Sequence, residues 1–248
     1  MKQKILEACV DSYESAMAAY EGGADRLELC ANLIIGGTTP DFLLFQQIRN
    51  SIDIPIHVLI RPRFGDFYYS DFEFEVMLKD IEEFKKEKAH GVVIGMLTKE
   101  GDLDKEKMKG AITAAKGMHI TLNRAFDVCK DPLKTLEEAK EQGVHTILTS
   151  GQKNTSLEGK ELLKELVTQS KNQIDIMAGS GVLAENIKEI HKETGITSFH
   201  MSGKKTFDSE MKYRKEGVSM GIPGFSEYHI IRTDKEEIVK AKKVIDKL

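Results

Sequence analysis

The stretch Ala24-Asp25-Arg26-Leu27-Glu28-Leu29-Cys30 reads as a short strand that ends in a carboxylate and a thiol. Residues two apart on a strand point the same way, so Glu28 and Cys30 share a face. The same Glu-x-Cys pattern occurs upstream, in Ile5-Leu6-Glu7-Ala8-Cys9-Val10. Two successive strands therefore present Glu and Cys on one face. An ionisable group in a core strand is costly unless it is paired or used. These four residues mark where the chain departs from plain packing.

Outward from this stretch, apolar and β-branched runs recur at Lys4–Val10, Ala24–Cys30, Pro55–Ile60, Gly91–Leu97, His119–Asp127, His145–Gly151, Gln173–Gly181 and Ser198–Gly203. Several are nearly continuous, as expected of parallel strands covered on both sides. The segments between them carry helix signals. Asp11 with Glu14, Ser70 with Glu73, and Thr233 with Glu236 fit the capping box. Asp131-Pro132 places a cap before a first-turn proline. Gly22-Gly23, Gly91, Gly117, Gly143 and Gly195 fall where helices should stop. Phe74, Met77, Leu78, Ile81 and Phe84 form a core stripe at helical spacing between Asp71 and Lys88. Strands alternating with helices in this way predict an α/β fold, a single (βα)8 TIM barrel spanning residues 1–248. The rival, a doubly wound open sheet, lacks support: Val10-Asp11-Ser12-Tyr13 follows the first strand, with no Gly-rich dinucleotide fingerprint. A long loop from Gly203 to Arg232, with Gly217, Gly221 and Ile222-Pro223-Gly224, reads as a functional lid or mobile segment.

The 248 residues are 40% hydrophobic and 31% charged, an ordinary soluble composition able to bury a core. A net charge of −4 gives no global case for nucleic acid or an anionic membrane. The Lys-rich runs are interleaved with acids, as on solvated helix faces. With no long apolar run and no signal-peptide core, a cytoplasmic location is expected. Cys9, Cys30 and Cys129 are then reduced, and their spacing matches no standard zinc site.

In such a barrel the site lies at the carboxyl ends of the strands. Those ends offer Glu7, Cys9 and Asp11; Glu28, Cys30 and Asn32; Arg61, Arg63 and Asp66; Asn123, Arg124 and Asp127; Ser150; Gly179-Ser180-Gly181; and His200 and Ser202. Arg61, Arg63 and Arg124 supply forked donors for carboxylate or phosphate, and Glu7, Glu28, Asp66 and Asp127 are the available acids or bases. The plainer alternative is a structural network in which these arginines neutralise the carboxylates. Parity forbids Asn123 and Arg124 from both pointing inward on a regular strand. Gly179 and Gly181 form a turn onto a helix N-terminus that suits an anion, with Ser150 and Ser202 as added hydroxyls. A free cysteine is commonly a small buried hydrophobe. Two on neighbouring strands, if register joins them, make a soft pair for Cu(I). No Lys ends strands one to seven, and no Gly-x-Ser-x-Gly elbow is present, which sets aside Schiff-base aldolases and elbow hydrolases.

Together, Leu6-Glu7-Ala8-Cys9-Val10-Asp11-Ser12, Gly22 to Cys30, Gly36-Gly37-Thr38-Thr39-Pro40, Ile60-Arg61-Pro62-Arg63, Gly65-Asp66-Phe67, Asn123-Arg124-Ala125-Phe126-Asp127, Leu148-Thr149-Ser150-Gly151 and His200-Met201-Ser202 resemble the CutC family over about residues 1–203. The resemblance implies a cytoplasmic (βα)8 barrel linked to copper homeostasis. It also implies a homo-oligomer, with a dimer favoured, and copper binding at cysteines matching Cys9 and Cys30. This chain departs from the family pattern at Asn123, where His is common, at Thr38, where Leu is common, and at Asp41, where Ser is common. Two expectations result. One is a copper-handling protein that binds Cu(I) through Cys9 and Cys30. The other is an enzyme or sensor for a small phosphorylated or carboxylated metabolite, with Arg61, Arg63 and Arg124 as clamps and Glu7 or Glu28 as base. In both, the Glu-x-Cys strand ends face the arginines of strands three and five.

Overall fold

The computed structural model describes residues 4–222 and 224–248. Eight strands form a closed parallel barrel in chain order, with β8 hydrogen-bonded back to β1. They are β1 (Ile5–Val10), β2 (Arg26–Leu29), β3 (Ile56–Leu59), β4 (Gly91–Ile94), β5 (His119–Leu122), β6 (Thr146–Thr149), β7 (Asp175–Ala178) and β8 (Ser198–Met201). Between and after them run α1 (Tyr13–Glu21), α2 (Phe42–Arg49), α3 (Asp71–Lys86), α4 (Lys105–Ala114), α5 (Pro132–Glu141), α6 (Lys160–Ser170), α7 (Ala184–Thr194) and α8 (Lys235–Ile245). Each predicted run contains one strand. The observed strands are shorter because pairing stops where the chain turns out of the barrel.

Strand parity divides the core in two. One set of alternating residues, including Leu6, Ala8, Leu27, Leu29, Val58, Val92, Ile94, Ile147, Ile176 and Phe199, packs outward with helix residues such as Phe45, Met77, Ile187 and Ile238. The other set points inward. Cys9, Cys30, Leu59 and Val93 form a small separate apolar cluster there. Below it the interior is polar, with Glu7, Arg26, His57 and Thr121 all buried.

Helix starts follow local chemistry. Ser70 and Glu73 form the reciprocal capping box read from sequence, and Asp131 caps α5. Two caps are shifted by one residue. Ser12 rather than Asp11 accepts from Ser15 N, and Asp234 rather than Thr233 accepts from Glu236 N. Asp11 instead accepts from Leu33 N, and Thr233 donates its hydroxyl to Ser202 O. Both serve loop geometry at the barrel mouth.

The long connection after β8 begins and ends in a two-stranded ribbon. β9 (Lys204–Asp208) pairs antiparallel with β10 (His229–Thr233), from His229 opposite Asp208 to Thr233 opposite Lys204. All of β9 is exposed, so it lacks the buried face that betrays a strand in sequence. Pro223, within the expected turn, lies outside the described residues. Among the described residues no helix is long and apolar enough to cross a membrane.

At the amino-terminal end of the barrel, the rings of His57, His119 and His145 stack with centroids 4.8 and 4.7 Å apart. Gly91 makes room for them, since a Cβ there would lie 2.7 Å from His57 Cδ2. Burial, with the Arg26 charge nearby, holds the His57 imidazole well below its ordinary pKa. The same causes push His119 down to about 4. Both rings are therefore neutral in the folded protein at neutral pH, while in the unfolded chain they gain protons as pH falls below about 6.5. Their contribution to stability is present above that pH and is lost as pH falls toward 4. Urea unfolding between pH 7 and pH 4.5 should show stability declining with acid. His119→Gln should flatten that slope, and an unchanged slope would count against the neutral stack.

Candidate functional site

Glu7 is fully buried at mid-height in the barrel. Arg26 Nε donates to its Oε2 at 2.5 Å, and His200 Nδ1 lies 2.7 Å from its Oε1. The two oxygens are thus divided between β2 on one side and β8 on the other. His57 Nδ1 stands 3.9 Å from Oε2. Burial alone would raise the Glu7 pKa. The Arg26 charge and the His200 hydrogen bond outweigh it and hold the carboxyl well below the usual range. Arg26 also reaches across the interior, its Nη2 lying 3.5 Å from Met177 Sδ on β7.

One layer nearer the carboxyl ends, register sets Cys9 opposite Glu28. The Cys9 thiol donates to Glu28 Oε1 at 3.5 Å and lies 3.8 Å from Cys30 Sγ. Donor atoms of Cys9, Glu28 and His200 all fall within 4.8 Å of one another. The hydrogen bond with Cys30, burial and the nearby carboxylates push the Cys9 thiol up, so it stays protonated. Burial raises the Glu28 carboxyl, opposed by His200 and reinforced by Glu7. Its Oε2 is buried without a hydrogen-bond partner. His200 is shifted up, because Glu28 and Glu7 overcome the burial that would lower it.

Above this floor opens a cavity of about 650 Å³ at the carboxyl ends of the strands. Cys9, Glu28, Arg61, Asn123, Arg124 and His200 line its depth and wall, and Gly181, Ser202 and Lys205 stand nearer the rim strands and loops. Strand five ends at Leu122, and Arg124–Val128 forms a 3-10 turn capped by Asn123, whose Oδ1 accepts from Ala125 N. That turn removes the parity conflict, so both Asn123 and Arg124 border the cavity.

Other residues singled out in the sequence serve the walls. Arg63 is tied to Glu73 at 2.6 Å and to the exposed Asp66 at 3.0 Å, outside the cavity. Asp127 accepts from Arg124 Nε, Thr149 Oγ1, Ser150 N and Gln152 N, and so knits the strand-five turn to the β6 loop. Ser150 is buried in that knot and bonds Asp127. Gly179 sits where a Cβ would meet Leu148 Cδ1 at 2.5 Å, a close approach inside the barrel. Cys30 is wholly enclosed behind Cys9. Cys129 is buried against Leu97 and Ala125, apart from the other two thiols. The expected facing of Glu7 by arginines of strands three and five is corrected, since its partner is Arg26, while Glu28 lines the same cavity as Arg61 and Arg124. Arg26, His57 and His119 were missed, and His200 was noticed without a role. Arg26, Glu28 and Cys30 share one strand parity, a signal that could have placed Arg26 inside.

Ionisable and soft donors gather at the carboxyl-end mouth of a closed parallel (βα)8 barrel, the place where barrels of this fold carry their sites. Comparison with known proteins narrows the class. The model of the CutC family matches residues 4–205. A family protein CutC of Pasteurella multocida is 45% identical over 98% of this chain and 99% of its own length. The human copper homeostasis protein cutC homolog is 43% identical over 94% of this chain and 86% of its own. The crystal structure of a CutC protein from Streptococcus agalactiae superposes with a TM-score of 0.77 at 31% identity, covering 81% of this chain and 99% of that one. The chain belongs to the CutC family. Phosphoribosylanthranilate isomerase of Pyrococcus furiosus, at 12% identity and a TM-score of 0.59 over 99% of this chain, shares the fold alone.

Removing one partner of a buried ion pair leaves an uncompensated charge and costs about 3–5 kcal/mol. Arg26→Met should destabilise the protein by that order in urea titration. Pairing it with Glu7→Gln should recover a large part of the loss. Equal stabilities for wild type and Arg26→Met would contradict the assigned ion pair.

Proposed function

We propose that this protein serves copper homeostasis by holding Cu(I) at the floor of the barrel cavity, with Cys9 and Cys30 as its sulfur donors. The contact of the two sulfurs at 3.8 Å on neighbouring strands carries the reading. Thiolates are soft donors that select cuprous ion. His200, close to Cys9, offers an imidazole as a further donor. The copper homeostasis names of relatives such as the human protein support the same role. A cytoplasmic location, where thiols stay reduced, and assembly as a homo-oligomer, a dimer first, belong to this proposal.

Because the Cys9 thiol is protonated before metal arrives, Cu(I) must displace a proton. Affinity should therefore rise with pH, by about tenfold per pH unit for each proton released. Anaerobic titration against a chromophoric Cu(I) chelator tests this. Wild type and Cys129→Ser should bind one equivalent, and Cys9→Ser/Cys30→Ser should bind at least about 100-fold more weakly. Equal binding by wild type and the double variant sinks the proposal.

The unpartnered Oε2 of Glu28 favours a second reading. In it the same cavity belongs to an enzyme or sensor for a small phosphorylated or carboxylated metabolite. Glu28 takes a proton from the substrate, and His200, steadied by Glu7, acts as the companion acid. Incubation in D2O with small phosphorylated hydroxyketones and 2-oxo acids should give deuterium uptake at carbon, read by NMR. Uptake should vanish in Glu28→Gln, and no uptake in wild type would dispose of the catalytic form of this reading.

A further inference from the structure

Buried cations need compensating charge, and the arginines of this barrel meet that need unequally. Arg26, Arg63 and Arg124 each have a carboxylate oxygen within 3.0 Å. Arg61 is only 7% exposed, and among the described residues no carboxylate pairs with it. Its guanidinium donates instead to the carbonyl oxygens of Gly36, Gly37 and Gly65. The ring of Phe67 lies 4.9 Å from its Cζ. All three glycines have positive φ, so the two loops are shaped to aim carbonyls at this one side chain. These dipoles fix the guanidinium in place but carry no net charge. Its Nε makes no hydrogen bond of good geometry, and the buried Tyr69 hydroxyl beside the guanidinium is neutral and adds no compensating charge. The result is a rigid, unneutralised cation on the wall of the 650 Å³ cavity.

The floor of the same cavity has the opposite deficit. Glu28 Oε2 is buried without a donor. Glu28 pairs in register with His57, and Arg61 stands four residues further along that strand's course, so the two orphaned groups lie at different depths. A ligand that answers both must present an oxyanion to the wall and a hydrogen-bond donor to the floor.

We propose that the cavity binds a small organic anion bearing a hydroxyl group, its carboxylate or phosphate paired with Arg61 and its hydroxyl donating to Glu28. This rests on the second reading above and names its substrate class and its anchor. Arg61 is the anchor, while Arg63 and Arg124 hold the loops. The fork geometry of Arg61 suits carboxylate and phosphate alike.

Calorimetric titration with glycerol 3-phosphate, glycerate, inorganic phosphate and glycerol tests the assignment and separates the two oxyanions. At least one hydroxylated anion should bind at millimolar concentration or below, and glycerol should bind at least tenfold more weakly. Arg61→Met should weaken the anion at least tenfold. Arg61→Lys keeps the charge but loses the fork, giving an intermediate loss, and stands in should the Met variant not fold. Glu28→Ala should weaken glycerol 3-phosphate or glycerate while sparing inorganic phosphate. Anion binding should be the same with an excess of a Cu(I) chelator present, which separates this result from the copper proposal. Anion binding equal in wild type and both Arg61 variants, glycerol binding as tight as the anions, or no binding by either hydroxylated anion would overturn the assignment. Glu28-dependent deuterium uptake together with Arg61-independent binding would remove the anchor while leaving the second reading standing.

Discussion

The carboxylate of Glu7 is the constraint around which the barrel interior is arranged. It gives one oxygen to Arg26 on β2 and the other to the imidazole of His200 on β8. Those strands flank β1, and the β1–β8 pairing is the seam where the sheet closes on itself. A buried ion cluster of this kind contributes little net stability over a well-packed apolar core. Its effect is on register. A one-residue slip of β1 would drive Glu7 into the helix-facing layer, among Leu6, Ala8 and Leu27, and strand the Arg26 charge inside.

Electrostatic character changes with height in the barrel. At the amino-terminal end, stacked imidazoles are held neutral by burial and by the nearby guanidinium. At mid-height the Glu7 carboxyl is held well below the usual carboxylate range by Arg26 and His200. Nearer the mouth, Glu28 and Cys9 are both pushed toward their protonated forms. The cavity therefore opens onto groups whose proton affinity is raised, above a carboxylate already committed to its partners. This ordering leaves Cys9 a poor nucleophile in its own right. It leaves Glu28 and His200 as the groups most responsive to what enters.

The eight strands were legible because each run is β-branched, short and followed by helix signals, and because parity put Glu and Cys on one face. The location of the site was legible too, since strand-end residues such as Arg61, Glu28 and Ser202 converge in any such barrel. Pairing was not. Which arginine meets Glu7 depends on the stagger between strands, and stagger is a property of the closed sheet that no single strand records. Arg61, Arg63 and Arg124 read alike in sequence and differ in the fold only through the loops that receive them. The turn after Leu122 hid behind an apolar run continuing to Phe126. The exposed strand Lys204–Asp208 offered no periodicity, since it has no buried face to encode.

The ribbon made by β9 and β10 carries a consequence for how this chain can vary. Its two ends are fastened together at the barrel, where Asp234 N donates to Gly203 O and Thr233 pairs with Lys204. A loop whose ends are already closed adds length at little entropic expense. The barrel is therefore indifferent to how far the ribbon extends, and insertions or deletions at its tip leave α8 docked against α7 and α1. The family match ends at residue 205, just as the ribbon begins.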